Sequence, residues 1–136
     1  MALLMKHTHR LLEARNLVAS GSLIGPWSFV LASIPKLKEV CNGCGAADSW
    51  FDFVPDRIIG SYIGHVCYIH DWQYYEGKTK EEKEEADETF KDNLLAVIKL
   101  KSTSVVIIAI KYAAAYTYYF GVKRFGSKAY WKGKKQ

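Results

Sequence analysis

The chain has 136 residues, a length typical of one domain, and its content of 49% hydrophobic and 24% charged residues excludes an intrinsically disordered chain. The formal net charge of +5 favours anionic partners, either nucleic acid or an anionic lipid surface. Eight of the 14 acidic residues lie between residues 76 and 92, whereas residues 121–136 hold six basic residues and no acid, so the basic character lies largely in the C-terminal tail.

The first predicted element is a helix over residues 2–18, in which leucines form a rough apolar stripe. The stretch 21–26, which contains two glycines and a proline, ends this helix. Residues 27–40 are ambiguous, and one interpretation is a short helix before Pro35 with a further turn after it. We expect residues 1–40 to form an N-terminal helical segment that packs on the core.

A long ordered loop is predicted over residues 41–60, because this stretch is rich in Gly, Asp and Pro. A loop of this length inside a compact domain usually carries a function. The next predicted helix covers residues 61–76, where buried-type side chains recur at steps of three and four. Its inward-facing residues are expected to be Ile63, Val66, Cys67, His70 and Tyr74.

A sharp break precedes the second long helix. Gly77 suits the position that ends a helix, and Thr79 with Glu82 forms a capping box that predicts the start of the next one. This helix is predicted from Lys80 to about Lys101. Its apolar face comprises Ala86, Phe90, Leu94, Val97 and Ile98.

A third helix is predicted over residues 105–122, and residues 126–136 are expected to form a mobile basic tail. Lys111 lies in the middle of the apolar stretch 103–122, which favours a buried amphipathic helix over a membrane span. The expected fold is one mostly α domain with a core over residues 41–125. In it, two antiparallel helices carry a His/Asp site, with a calcium-binding loop and flanking N- and C-terminal helices.

The predicted pair of helices brings a histidine and an aspartate together. His70 lies seven residues before Gly77 and Asp87 lies ten residues after it, so an antiparallel hairpin places them within roughly 5 Å of the same level. A carboxylate bonded to an imidazole fixes its tautomer and stabilises its charged form, as a general base requires. Tyr74 lies four residues after His70 on the same face and is placed to hydrogen-bond Asp87.

Asp71 follows the histidine and points about 100° away around the helix, toward the loop 41–60. Gly43 and Gly45 in that loop allow several carbonyl oxygens to face one point. Calcium is bound by carboxylate, carbonyl and water oxygens. The sequence therefore predicts a calcium site at Asp71, where the cation would polarise an ester carbonyl and stabilise the oxyanion.

Four segments of the chain combine into a recognisable pattern. They are Gly43-Cys44-Gly45, Phe51-Asp52-Phe53-Val54-Pro55-Asp56, Cys67-Tyr68-Ile69-His70-Asp71-Trp72-Gln73-Tyr74 and Ala86-Asp87-Glu88-Thr89-Phe90. Together they resemble the phospholipase A2 superfamily, most closely its small bacterial, fungal and phage-borne members. The resemblance covers about residues 41–95, and its most specific part is the C-x-x-H-D-x-x-Y core with an upstream C-G loop.

The resemblance implies calcium-dependent hydrolysis of the sn-2 acyl ester of a glycerophospholipid. It implies that His70 activates the attacking water, that Asp87 orients His70 with support from Tyr74, and that Asp71 gives its carboxylate to calcium.

The resemblance also implies the rest of the metal site and a disulfide. Backbone carbonyls near Gly43, Gly45 and Ala47 would complete the calcium coordination. Cys44 and Cys67 correspond to positions that pair as a disulfide in many members of the superfamily. The loop after Cys44 departs from the Gly-rich version of the secreted animal members, and its acidic residues are candidates to replace a carbonyl ligand; these are Asp48 and Asp52.

Two alternatives use the same residues. Cys41-x2-Cys44 followed by Cys67-x2-His70 fits a Cys₃His zinc site in a small binding module, for which the basic tail would point to nucleic acid. This pattern explains Cys41 but leaves Asp71, Tyr74 and Asp87 without a role. The other alternative is a catalytically silent relative that serves as a structural or virion component.

The aromatic and basic residues of the C-terminal tail indicate what the protein is expected to bind. Tyr130 and Trp131, flanked by lysines, resemble an interfacial anchor, so the expected partner is a phospholipid bilayer surface, anionic in charge. The competing interpretation is a solubilising tail. We expect neither a nucleic-acid partner nor an obligate protein partner. Localisation stays open, with a secreted or virion-associated protein acting at a membrane surface favoured.

Overall fold

A computed structural model describes residues 2–44, 54–102 and 104–134, and over these residues the chain is mostly helical. In chain order the elements are α1 (Ala2–Ala19), α2 (Trp27–Leu31), α3 (Ile34–Val40), β1 (Arg57–Ile58), β2 (Ser61–Tyr62), α4 (Gly64–Glu76), α5 (Lys80–Lys101), α6 (Val105–Phe125) and α7 (Ser127–Trp131). The mostly α fold class is thereby confirmed. Helix α1 packs on α2, α3 and α4, and α5 packs on both α4 and α6.

The hairpin of α4 and α5 is the centre of the fold. Thr79 caps α5 by accepting a hydrogen bond from the backbone N–H of Glu82, as the capping box predicts. The two helices run antiparallel, because Tyr74 contacts Asp87 whereas the earlier His70 also reaches the later Phe90. The predicted apolar face of α5 is buried in full: Ala86, Phe90, Leu94, Val97 and Ile98.

A disulfide joins Cys44, in the segment that follows α3, to Cys67 on α4, with 5.4 Å between their Cα atoms. This is the pairing that the family resemblance implies. It fixes residue 44 against the helix that carries His70, and so holds the start of the predicted loop beside the hairpin.

The sequence prediction was wrong at residues 61–63, which were assigned to the helix. Strand β2 pairs there with β1 in an antiparallel hairpin, with Arg57 opposite Tyr62 and Ile58 opposite Ser61. The turn between the strands has Ile59 at φ 44° and Gly60 at φ 83°. Two positive φ values suit a tight β-turn, but an isoleucine at such a position is rare and gave no turn signal in the sequence.

Helix α6 is not the buried helix that the sequence predicted. One face packs on α5, but most of its large apolar side chains are exposed, including Val105 and Phe120. By length and composition alone, α6 is able to cross a membrane. Lys111 was the residue that argued against a membrane-spanning helix in the sequence. It lies on the buried face of α6, where Nζ donates to the hydroxyls of Ser61 and Ser102.

The C-terminal segment also differs from the mobile tail that the sequence predicted, as far as residue 134. Tyr130 on α7 is fully buried, its ring packs edge-on against Tyr74, and its hydroxyl donates to the carbonyl of Thr79. Gly77 makes this packing possible, because a Cβ there would lie 2.5 Å from the Tyr130 hydroxyl. Tyr130 therefore locks the α4–α5 turn and is not available as a lipid anchor.

We expect Tyr130→Ala to lower the free energy of unfolding by about 3 kcal/mol, because truncating a buried aromatic ring leaves a cavity. Urea denaturation followed by circular dichroism measures the loss. Lys132→Ala, a change at the exposed residue that directly follows the same helix, is the control and should leave the unfolding midpoint unchanged. Equal stability of Tyr130→Ala and the parent chain would mean that the tail is undocked in solution.

Candidate active site

His70 and Asp87 meet inside the hairpin as the helix geometry predicts. Each residue has 2% of its surface exposed, and Nε2 of His70 lies 2.9 Å from Oδ1 of Asp87. The pairing follows from local sequence features, namely the short turn at residues 77–79 and the cap that fixes where α5 begins. The structure therefore places the two side chains at hydrogen-bond distance.

Two aromatic rings hold the imidazole in place. The Tyr74 ring centroid lies 4.1 Å from that of His70, and the Phe90 centroid lies 4.8 Å from it. The Tyr74 hydroxyl also donates to Oδ1 of Asp87 over 2.7 Å, as predicted. Because both the ring plane and the Nε2 contact are fixed, His70 has little rotational freedom.

Lys83 is a site residue that the sequence analysis missed. Its Nζ lies 2.7 Å from Oδ2 of Asp87 and also donates to the carbonyls of Val122 and Lys123 at the end of α6. Lys83 lies in the acid-rich stretch between residues 76 and 92, where charged side chains usually face solvent, yet it is buried. The signal that would have found it is its spacing, because a lysine four residues before an aspartate lies on the same helix face.

The local electrostatics lower the pKa of both His70 and Asp87. Burial lowers the pKa of His70 below its usual range, even though the hydrogen bond and charge of Asp87 act to raise it. Burial acts to raise the pKa of Asp87, but the hydrogen bonds from His70, Lys83 and Tyr74 outweigh it and the pKa falls below its usual range. At neutral pH the carboxylate is therefore ionised and the imidazole neutral. An ionised carboxylate only accepts hydrogen bonds, so the proton of His70 lies on Nε2 and Nδ1 is the basic nitrogen.

Asp71 points away from His70 toward residues 42 and 43, as the helix geometry predicts. Oδ2 of Asp71 accepts a hydrogen bond of 2.8 Å from the backbone N–H of Gly43. Burial raises the pKa of Asp71 to about 8, although hydrogen bonds from Gly43 and Asn42 act in the other direction. A nearby cation would stabilise the charged form, so this carboxyl fits a metal ligand.

Gly43, whose N–H donates to Asp71, has both a backbone conformation and a tight environment that favour glycine. Its φ is +87°, and a Cβ at this position would lie 2.9 Å from Cε1 of Tyr68. The other predicted loop ligands fall outside the described residues, namely Gly45, Ala47, Asp48 and Asp52. Within the described residues, no group of three or more His, Cys, Asp or Glu side chains forms a metal cluster.

The structure does not assemble the Cys₃His zinc site, whose four residues all lie in the described part of the chain. The sulfurs of Cys44 and Cys67 are bonded to each other, and Nε2 of His70 faces Asp87. Cys41 is a buried free thiol. Burial raises its pKa, which disfavours the thiolate that zinc requires.

Two cavities beside α1 are lined in part by basic side chains. The smaller, of about 280 Å³, reaches Asn42 next to the Asp71 contact, and the larger, of about 760 Å³, extends to the apolar end of α5. Lys6, Arg10 and Tyr62 line both cavities. The Arg10 guanidinium lies 3.7 Å from the Tyr62 ring centroid, so its charge is held at the boundary between them.

Lys83→Met should raise the pKa of His70, because the positive charge of Lys83 acts to lower it. NMR titration of the histidine ring signals in calcium-free buffer measures the change, with His70→Gln identifying the signal. Lys80→Met removes an exposed lysine from the same helix and should leave the His70 titration unchanged. An unchanged or lower pKa in Lys83→Met would contradict the electrostatic role given to Lys83.

The whole chain was also compared with known proteins. No protein-family model, curated protein or solved structure matches the chain, so the relation to the phospholipase A2 superfamily stays a resemblance carried by the residues named above.

Proposed function

We propose that the protein hydrolyses an acyl ester of a glycerophospholipid, at the sn-2 position by family resemblance, with a water molecule activated by His70 and a calcium ion bound at Asp71. The observation that carries the proposal is the buried set of His70, Asp87 and Tyr74. A neutral imidazole whose tautomer and orientation are fixed by an ionised carboxylate has the properties of a general base.

In the proposed reaction, Nδ1 of His70 takes a proton from water as the oxygen attacks the ester carbonyl. Asp87 stabilises the imidazolium that forms. Tyr74 and Lys83 donate hydrogen bonds to the carboxylate of Asp87 and so keep it ionised, which prevents it from taking the proton from His70. The imidazolium then returns its proton to the leaving alkoxide, which restores the neutral base and releases the fatty acid and a lysophospholipid.

Asp71 supports the calcium part of the proposal. Its buried carboxyl receives backbone N–H donors but has a pKa raised by burial, so it favours a cation as partner. We propose that Asp71 and backbone carbonyls near Gly43, Gly45 and Ala47 hold the ion. Bound there, calcium would supply a positive charge to the substrate phosphate and to the developing oxyanion.

The basic cavities support an anionic substrate. Lys6, His7 and Arg10 line the smaller cavity together with Asn42, whose neighbour Gly43 contacts Asp71. A phosphodiester bound there would lie next to the proposed calcium site. The larger cavity adds apolar side chains from Leu23, Val97 and Leu100, which suits an acyl chain.

His70→Gln should lower fatty-acid release from mixed phosphatidylcholine and phosphatidylglycerol vesicles by about 10²-fold or more, because the general base is removed. A calcium chelator should abolish release by the parent chain. Glu84→Gln, a change at an exposed residue on α5, is the control and should keep the parent rate. Full activity of His70→Gln would overturn the mechanism, and no release by the parent chain would favour the catalytically silent relative.

Asp71→Asn should weaken calcium binding by more than about tenfold, because a neutral amide gives the cation less charge than a carboxylate. Equilibrium dialysis with radioactive calcium measures affinity without any need for turnover. Asp92→Asn is the control, since Asp92 is an exposed aspartate on α5. Equal calcium affinity in Asp71→Asn and the parent chain would exclude Asp71 as a ligand.

A further inference from the structure

Helix α6 turns an uncharged face toward the outside of the molecule. Eight residues on a helical arc of about 140° are exposed: Val105, Val106, Ala109, Ile110, Ala113, Tyr116, Thr117 and Phe120. Val105 is 81% exposed and Phe120 57% exposed, and the face between them is about 22 Å long. The Thr117 hydroxyl donates to the carbonyl of Ala113, so even this polar group is paired within the helix.

The opposite face of α6 holds the helix's one central charge. Lys111 is only 4% exposed, and Nζ donates to the hydroxyls of Ser61 and Ser102, each over 2.9 Å. An amphipathic helix on a protein in water has the reverse arrangement, with apolar side chains inward and charges outward. An outward apolar face of this length indicates a surface that is covered by something other than water.

Positive charges flank the apolar face at both ends. Lys99 and Lys101 are exposed just before α6, and Lys123 and Arg124 are exposed in its last turn. The sequence contains no aspartate or glutamate after Asp92. An apolar strip between two sets of cations, with no acid nearby in sequence, is complementary to an anionic phospholipid bilayer.

We propose that the outward face of α6 docks on an anionic phospholipid bilayer, with the helix lying in the plane of the interface. The helix lies in the plane because its other side is attached to the protein. Lys83 binds the carbonyls of Val122 and Lys123, and Tyr119 on the inner face donates to Glu88 of α5. A spanning helix would have to leave these contacts and place Lys111 in hydrocarbon.

This docking surface replaces the aromatic anchor predicted in the tail. Tyr130 is buried against the α4–α5 turn, so it cannot insert into the bilayer. The exposed lysines of this segment, Lys128 and Lys132, add positive charge. Docking does not require the hydrolysis proposed above, although it would bring that activity to its substrate.

Co-sedimentation with vesicles of ether-linked phosphatidylcholine and phosphatidylglycerol in equal amounts tests the proposal, because ether lipids cannot be hydrolysed and a calcium chelator can be present throughout. Phe120→Glu and Ala113→Glu should each weaken binding by more than about tenfold, since the first places a charge at the end and the second a charge in the middle of the inserted face. Leu31→Glu is the matched control, as Leu31 is 72% exposed on α2, and should bind as the parent chain does. Thermal unfolding verifies that all three variants are folded.

Three results would overturn the proposal. The first is equal vesicle binding by Phe120→Glu, Ala113→Glu and the parent chain. The second is a parent chain that does not bind vesicles but forms a dimer, together with a Phe120→Glu variant that is monomeric. That result would mean that the face binds a second copy of the chain. The third is resistance of the bound parent chain to alkaline carbonate extraction, which would indicate a spanning helix.

Discussion

The rest of the site depends on the hydrogen bonds that the carboxylate of Asp87 accepts. It accepts hydrogen bonds from three side chains at once, those of His70, Tyr74 and Lys83. A buried charge is costly unless it is paired and hydrogen-bonded, and breaking one partner of a buried ion pair typically costs about 3–5 kcal/mol. Asp87 therefore requires that α4, α5 and the end of α6 keep their present arrangement.

The pKa of a second carboxyl, that of the half-buried Asp71, shifts in the opposite direction. Asp87 has cationic and hydroxyl partners and is held ionised, whereas burial raises the pKa of Asp71, which the backbone N–H groups of Gly43 and Asn42 only partly offset. Two acids in one small core with pKa values pushed apart are typical of sites in which each has a separate task. In the proposed mechanism, Asp87 would hold the base in position and Asp71 would bind the cation.

The parts of the site that could be predicted from sequence are those set by local geometry. Helix rise, the Thr79 cap and the three-residue turn were enough to place His70 beside Asp87 and to direct Asp71 toward Gly43. The fold class followed for the same reason, because the apolar face of α5 has a clear helical period.

The missed features depend on contacts between segments far apart in the chain. Lys83 reaches its backbone partners on α6 across about forty residues, and nothing in the acid-rich run distinguishes it from a solvated lysine except its spacing to Asp87. Tyr130 appeared to belong to a free tail because its contact with the α4–α5 turn is tertiary. Lys111 was interpreted as a sign that α6 is a buried amphipathic helix, but a sequence cannot show which face of a uniformly apolar helix the protein body covers.

The free Cys41 has a consequence for how the disulfide survives. A thiol three residues from Cys44 in sequence would be a competitor for Cys67 through thiol–disulfide exchange, which requires a thiolate that can reach a sulfur. Burial removes Cys41 from solvent and raises its pKa, so the attacking species is scarce once the chain has folded. The native pairing is thus protected from reshuffling, and an error in pairing would have to arise before α3 and α4 come together.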